Sequence, residues 1–138
     1  MLDYVAEAKN TLNGVKLDAK TIHSTMDLWM DINEVLKLAY IDRDEDLVAE
    51  IFLFANWCFA NYEQLPASEA DDMLTSVVVN LYGTIPTIQK AWPDIPKYIS
   101  EETFVEMRDV FIREITSEQY DLILVEYKKA GEQYQPSL

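Results

Sequence analysis

Asp27, Asp31 and Glu34 stand at i, i+4 and i+7, the spacing that puts three carboxylates on one face of a helix. With Glu50 on the next helix they have the makings of a cage for magnesium. Such a cage neutralises a polyphosphate and would belong to a metal-dependent nucleotide phosphohydrolase. The all-helical enzymes that use such a cage typically show paired Glu-x-x-Glu and Glu-x-x-Asp motifs on neighbouring helices. Here Asp31-x-x-Glu34 is a loose first half with no second motif, and no basic cluster stands beside it to hold phosphate. A solvated helix face is the better reading. Asp42, Asp44 and Asp46 fit the first three ligand positions of a twelve-residue calcium loop. The turn glycine and the closing carboxylate are missing, because those positions hold Leu47 and Leu53. His23 and Cys58 are the lone imidazole and thiol of the chain. A thiolate needs an electropositive setting, whereas Cys58 sits in an apolar segment framed by acids. There is no glycine-rich phosphate loop and no Gly-x-Ser-x-Gly elbow. The chain reads as non-enzymatic: no catalytic residue, no metal ligand and no cofactor is assigned.

What the residues do offer is charge. Twenty-five Asp and Glu against eleven Lys and Arg leave a formal charge of −14 on 138 residues. Such a field repels nucleic acid and anionic membranes and favours a basic protein partner. The imbalance is sharpest from Asp44 to Gln89, which contains eight carboxylates and no Lys or Arg. Asp42, Asp44, Glu45, Asp46, Asp71 and Asp72 are the expected partner-binding residues. They flank opposite ends of one helix and its connection, so a single patch is not implied. Tyr120, Tyr127 and Tyr134, spaced seven apart with Leu124 between the first two, form an aromatic stripe. The first two are expected in the core, and Tyr134 is open to either the core or a contact face. A helical bundle with eight tyrosines and three tryptophans also has the means to form a homodimer.

The elements that must carry these residues are helices. The chain has three glycines and five prolines, no sustained period-2 alternation, and a 49% hydrophobic share typical of a folded protein. The expected architecture is all-α: one domain over 1–138, an irregular bundle of five to six helices ending in an antiparallel hairpin, with a frayed tail over about 132–138. Helix starts and stops place a first helix over Leu2–Leu12, stopped at Asn13-Gly14, and a second over Ala19–Ile41 behind an Asp18 cap. Ile22, Met26, Trp29, Leu36 and Tyr40 form the apolar stripe of the second. A third runs to about Glu63, apolar almost all round in its middle and so the most buried. A fourth opens at Ser68 with Asp71 as its box partner and carries Met73, Leu74, Val77, Val78, Leu81 and Tyr82. Gly83 and Pro86 interrupt it, and a short helix follows to Trp92. Pro93-Asp94-Ile95-Pro96 reads as a turn or linker and the place for a mobile loop. A fifth helix starts behind Ser100 with Phe104, Met107, Val110 or Phe111, and Ile115. A sixth starts at a Thr116-x-x-Gln119 capping box.

Phe54-Ala55-Asn56-Trp57-Cys58, followed by Val77, Val79 and Leu81-Tyr82, resembles a family of small bacterial all-helical proteins with a Phe-Ala-x-Trp-Cys helix and a Val-rich helix ending in Tyr. The likeness covers about residues 45–85, with an echo in the Arg108–Tyr127 hairpin. In that family polar or charged residues follow the Tyr, where this chain has Gly83. The resemblance implies a fold and carries no catalytic residue. In type, a small acidic all-α chain is also similar to toxin-immunity proteins. The expected function is therefore non-enzymatic binding, in its most concrete form an immunity-type inhibitor that masks a basic surface on a partner. A phage-type DNA mimic and the metal-dependent phosphohydrolase are the alternatives, beside a helical domain of other function. The single cysteine, the lack of a basic and then apolar leader, and an apolar run too short to span a bilayer point to the cytoplasm.

Overall fold

The computed structural model describes residues 3–13 and 15–133, with side chains to Gly131. Gly14 of the expected stop, Tyr134, and the expected tail apart from the helical backbone to Gln133 lie outside the described residues. Among those described the chain is all-α, without a strand. It gathers into two compact units, Met1–Leu81 and Tyr82–Leu138.

The first unit contains α1 (Tyr4–Thr11), α2 (Thr25–Asp42), α3 (Glu45–Asn61), a 3-10 turn at Tyr62–Gln64, and α4 (Ala67–Val77). α3 packs against α1, α2 and α4, and α2 also packs against α4. The contacts follow the apolar pattern: Val48, Ile51, Phe52, Phe54, Ala55 and Cys58 of α3 are buried. Phe54 lies between two indoles, 5.6 Å from Trp29 and 5.8 Å from Trp57, both stacked. α3 is not buried all round, however. Ala49, Asn56 and Ala60 are exposed, Leu53 is 62% exposed, and Trp57 and Phe59 are half-buried. Packed neighbours cover most of the rod, and this strip of mostly small residues faces water.

Local chemistry sets the ends. Asp3 starts α1 by accepting the Val5 and Ala6 N–H groups, both at 3.1 Å. α2 begins six residues later than Ala19. Ser24, not Asp18, is its cap, with its hydroxyl accepting from Asp27 N–H at 3.1 Å while the Asp27 carboxylate accepts from His23 N–H at 3.0 Å. Asp18 instead closes a turn by accepting from Lys20 N–H, and β-branched Thr21 and Ile22 stay outside the helix. Ile22 is nonetheless buried, as are Leu28 and Ile32, which the expected stripe left out. Arg43 ends α2 in the left-handed conformation at φ 57°. Pro66, not Ser68, precedes α4, and no side chain caps that helix, so the expected Ser68–Asp71 box does not form.

A polar seam joins α2 to α4 and the π-helical turn Val78–Tyr82 that continues it. Thr25 and Ser76 share a hydroxyl bond of 3.2 Å. Asn80 donates to the Ser76 carbonyl at 2.8 Å and lies 3.2 Å from the Met26 sulfur. Reading the fourth helix as an apolar stripe passes over Ser76 and Asn80, which lie between its large residues.

The second unit contains 3-10 turns at Ile85–Thr87 and Gln89–Asp94, then α5 (Ile95–Tyr98), α6 (Glu101–Glu106), α7 (Arg108–Phe111) and α8 (Ser117–Gln133). The segment Pro93–Pro96 is helical rather than a linker. Pro96 sits in the first turn of α5, where a missing N–H is tolerated, while Pro93 lies inside the 3-10 turn before it; Ala91 and Ile95 are fully buried, and Trp92 Nε1 donates to the Pro86 carbonyl at 2.8 Å. The expected fifth helix breaks at Met107 into α6 and α7; Ser100 caps it as expected, accepting from Thr103 N–H at 3.1 Å. Thr116 and Gln119 exchange bonds of 3.0 and 3.1 Å, the capping box expected for α8. α8 packs against α5 and the Gln89–Asp94 turn, and α6 reaches it through Phe104.

Phe104 is the hub of this unit. Its ring lies 4.6 Å from Tyr120, 4.6 Å from Phe111 and 5.2 Å from Tyr127. Tyr120 and Tyr127 are in the core, as expected, and each hydroxyl has a buried acceptor: Tyr120 donates to the Phe104 carbonyl at 2.8 Å and Tyr127 to the Ile99 carbonyl at 2.9 Å. Burial raises both phenols above their usual range. Tyr127→Phe strands the Ile99 carbonyl and is expected to cost about 1–2 kcal/mol, read as a lower urea midpoint with an unchanged slope.

Candidate partner-binding surface

The turn from α2 to α3 concentrates the expected charge. Every residue from Ile41 to Asp46 is exposed. Asp44 accepts from Leu47 N–H at 3.1 Å, and Glu45 and Asp46 occupy the first turn of α3, where the helix dipole favours carboxylates. Among the described residues, ion pairs join Lys37 to Glu34 at 3.3 Å and Lys129 to Glu126 at 3.5 Å, and none involves Asp42, Asp44, Glu45 or Asp46. Of these four carboxylates Asp44 is held by the backbone of the turn, and all four are left without an ion-pair partner. Replacing Asp44 by Ala is expected to destabilise the first unit by about 1 kcal/mol, whereas Asn, an equally good cap, costs little; paired urea titrations read the difference.

Large apolar side chains stand next to this corner. Leu38 is 57% and Ile41 67% exposed on the last turns of α2. Desolvating such groups between charged neighbours is what gives an interface its central anchor. The sequence carried the signal, since Leu38 and Ile41 fall off the stripe of Trp29, Leu36 and Tyr40, but an apolar residue in a helix is ordinarily assigned to the core.

Asp71 and Asp72 are exposed on α4, at a different place. The Tyr62 hydroxyl, just past the end of α3, is raised first by its bond to Glu63, then by the Glu63 charge, with Asp71 adding to it. Asp71 thus belongs with Glu63 near the far end of α3, about 25 Å of helix away from Asp44. Of the six expected residues, Asp42, Asp44, Glu45 and Asp46 form one corner, while Asp71 and Asp72 belong to another region. The Tyr4 phenol is also raised, by burial first and then by Glu69, Asp3 and Asp27.

Of the residues considered for catalysis, Asp27, Asp31 and Glu34 lie on α2 and Glu50 on α3. Asp27 is engaged at the start of α2 with His23 N–H, and Glu34 pairs with Lys37. Among the described residues no three His, Cys, Asp or Glu side chains group as a metal ion would require. Cys58 is buried, and burial pushes its thiol up to about 12. The Trp29 indole N–H would favour the thiolate but offsets only part of that shift. The contact falls short of a hydrogen bond, so Trp29 Nε1 stays buried and unpartnered. Among the described residues no helix is long and apolar enough to cross a membrane.

Comparison of the chain with protein-family models, curated proteins and solved structures gives no match in any of the three.

Proposed function

We propose that the chain is a non-enzymatic binding protein whose α2–α3 corner masks a basic surface of another protein, in the manner of an immunity-type inhibitor in the cytoplasm. The observation that carries this reading is the corner itself. Four exposed carboxylates without ion-pair partners adjoin two large exposed aliphatic side chains, Leu38 and Ile41. Carboxylates on the rim select Lys and Arg on the partner and speed encounter. The aliphatic pair supplies the desolvated contact that gives residence time. The net charge of −14 extends the same preference over the rest of the surface.

The test is retention of proteins on the immobilised full chain at low and at high salt, beside a variant carrying Asp42→Asn, Glu45→Gln and Asp46→Asn. The reading requires a basic protein that binds the wild type at low salt, is released by high salt, and is not held by the variant. If no basic protein is retained, or if the variant retains it equally, the reading fails.

A further inference from the structure

A different face, on the second unit, carries a pattern of its own. Leu122 is 56% and Val125 43% exposed on α8. With the exposed Glu118 and Lys129 they recur at spacings of four, three and four. At about 100° per residue these four positions fall within an arc of about 60°. That is the spacing of the seam of a two-stranded coiled coil, here with an apolar centre, an acid at one end and a base at the other. Asp121 and Lys128, also exposed, flank the seam on one side and repeat the same polarity.

We infer that this face of α8 pairs antiparallel with α8 of a second copy of the chain. A two-fold axis between Leu122 and Val125 brings Leu122 of each copy against Val125 of the other, and Glu118 against Lys129, since each pair of numbers has the same sum. On the flank it brings Asp121 against Lys128. A two-fold interface must be complementary to itself, and this charge order is complementary only when the helices run in opposite directions. A parallel pair would set Glu118 on Glu118 and Lys129 on Lys129. Lys129 already lies 3.5 Å from Glu126 of its own helix, whose side chain is 19% exposed against 62% for the lysine. The ammonium is therefore held at the edge of the seam and still open to a second carboxylate.

The area fixes the strength. Glu118 to Lys129 spans about 17 Å of helix, so the seam falls short of the roughly 1,200–2,000 Å² of a stable interface. The pairing is a weak, rapidly exchanging dimer that fills with concentration. The chain's net charge of −14 opposes it at long range. At physiological salt, screening over about 8 Å leaves the direct contacts to decide.

Sedimentation equilibrium of the full chain over a wide concentration range tests this, with circular dichroism to show that each variant folds. The wild type is expected to pass from monomer to dimer. Lys128→Glu with Lys129→Glu, or Glu118→Lys with Asp121→Lys, makes one seam uniformly acidic or basic and is expected to weaken pairing at least about tenfold. Mixing the two variants is expected to restore a dimer containing one copy of each. A wild type that stays monomeric, a dimer indifferent to these reversals, or a mixture that does not associate would overturn the pairing.

Discussion

Replacing Phe104 by Ala is expected to lower stability by about 3–5 kcal/mol, a large share of the roughly 5–15 kcal/mol that keeps an ordinary domain folded. The ring is fully buried, stacks on Tyr120 at 4.6 Å, and meets the tilted rings of Phe111 and Tyr127 at 4.6 and 5.2 Å. Its loss removes transfer energy, opens a cavity and strips three aromatic partners of a face. The Phe104 carbonyl also accepts the Tyr120 hydroxyl, so collapse around the cavity would disturb that bond as well. Urea unfolding followed separately by tyrosine and tryptophan fluorescence measures the cost. A loss near 1 kcal/mol would mean that the cluster is not the centre of the second unit.

The second large effect concerns Cys58. Burial raises its thiol from 9.0 to about 12, so the thiolate fraction near pH 8 falls about a thousandfold, and alkylation of the folded chain should slow at least as much relative to the unfolded chain. The same shift makes stability depend on pH in a definite direction. The folded state holds its proton more tightly than the unfolded state, so the contribution is complete below the unfolded value near 9 and is lost as pH climbs through the folded value near 12. The loss is on the order of 4 kcal/mol if Cys58 acts alone. Tyr127, raised chiefly by burial, acts in the same direction. Urea midpoints should hold up to about pH 9 and fall above it, and Cys58→Ala should flatten the fall. A midpoint that rises with alkali would contradict the burial of this thiol.

Much of the fold was legible because its signals were local. Ser100 and the Thr116–Gln119 box cap helices where their types and spacing said they would, since a cap needs only a few residues of context. Phe104, Tyr120 and Tyr127 were legible as core from helical periodicity. What escaped depended on tertiary context. Pro93 and Pro96 read as a break, yet each falls in a short helical turn that buries Ala91 and Ile95 around it. Asp18 and Ser24 are both competent caps, and the choice fell to Ser24 because Asp27 returns a bond to the same turn. The exposed strip of α3 could not be read from an apolar run alone, because which side of a rod goes uncovered depends on how many neighbours it has. For the binding surface, the charge was legible, and so was the length of α3 that stands between Asp42–Asp46 and the Asp71–Asp72 pair. The exposure of Leu38 and Ile41 beside the corner was not, because it depends on which side of α2 its neighbours leave uncovered.

The most direct measurement is the affinity of the retained basic partner for three full-length variants beside the wild type. One carries Asp42→Asn, Glu45→Gln and Asp46→Asn; one carries Leu38→Ser and Ile41→Ser; one carries Asp71→Asn and Asp72→Asn. Binding centred on the α2–α3 corner predicts at least about a tenfold loss for each of the first two and less than about threefold for the third. Equal losses in all three would leave only a diffuse acidic attraction, and full affinity in the first two would remove the corner from the account.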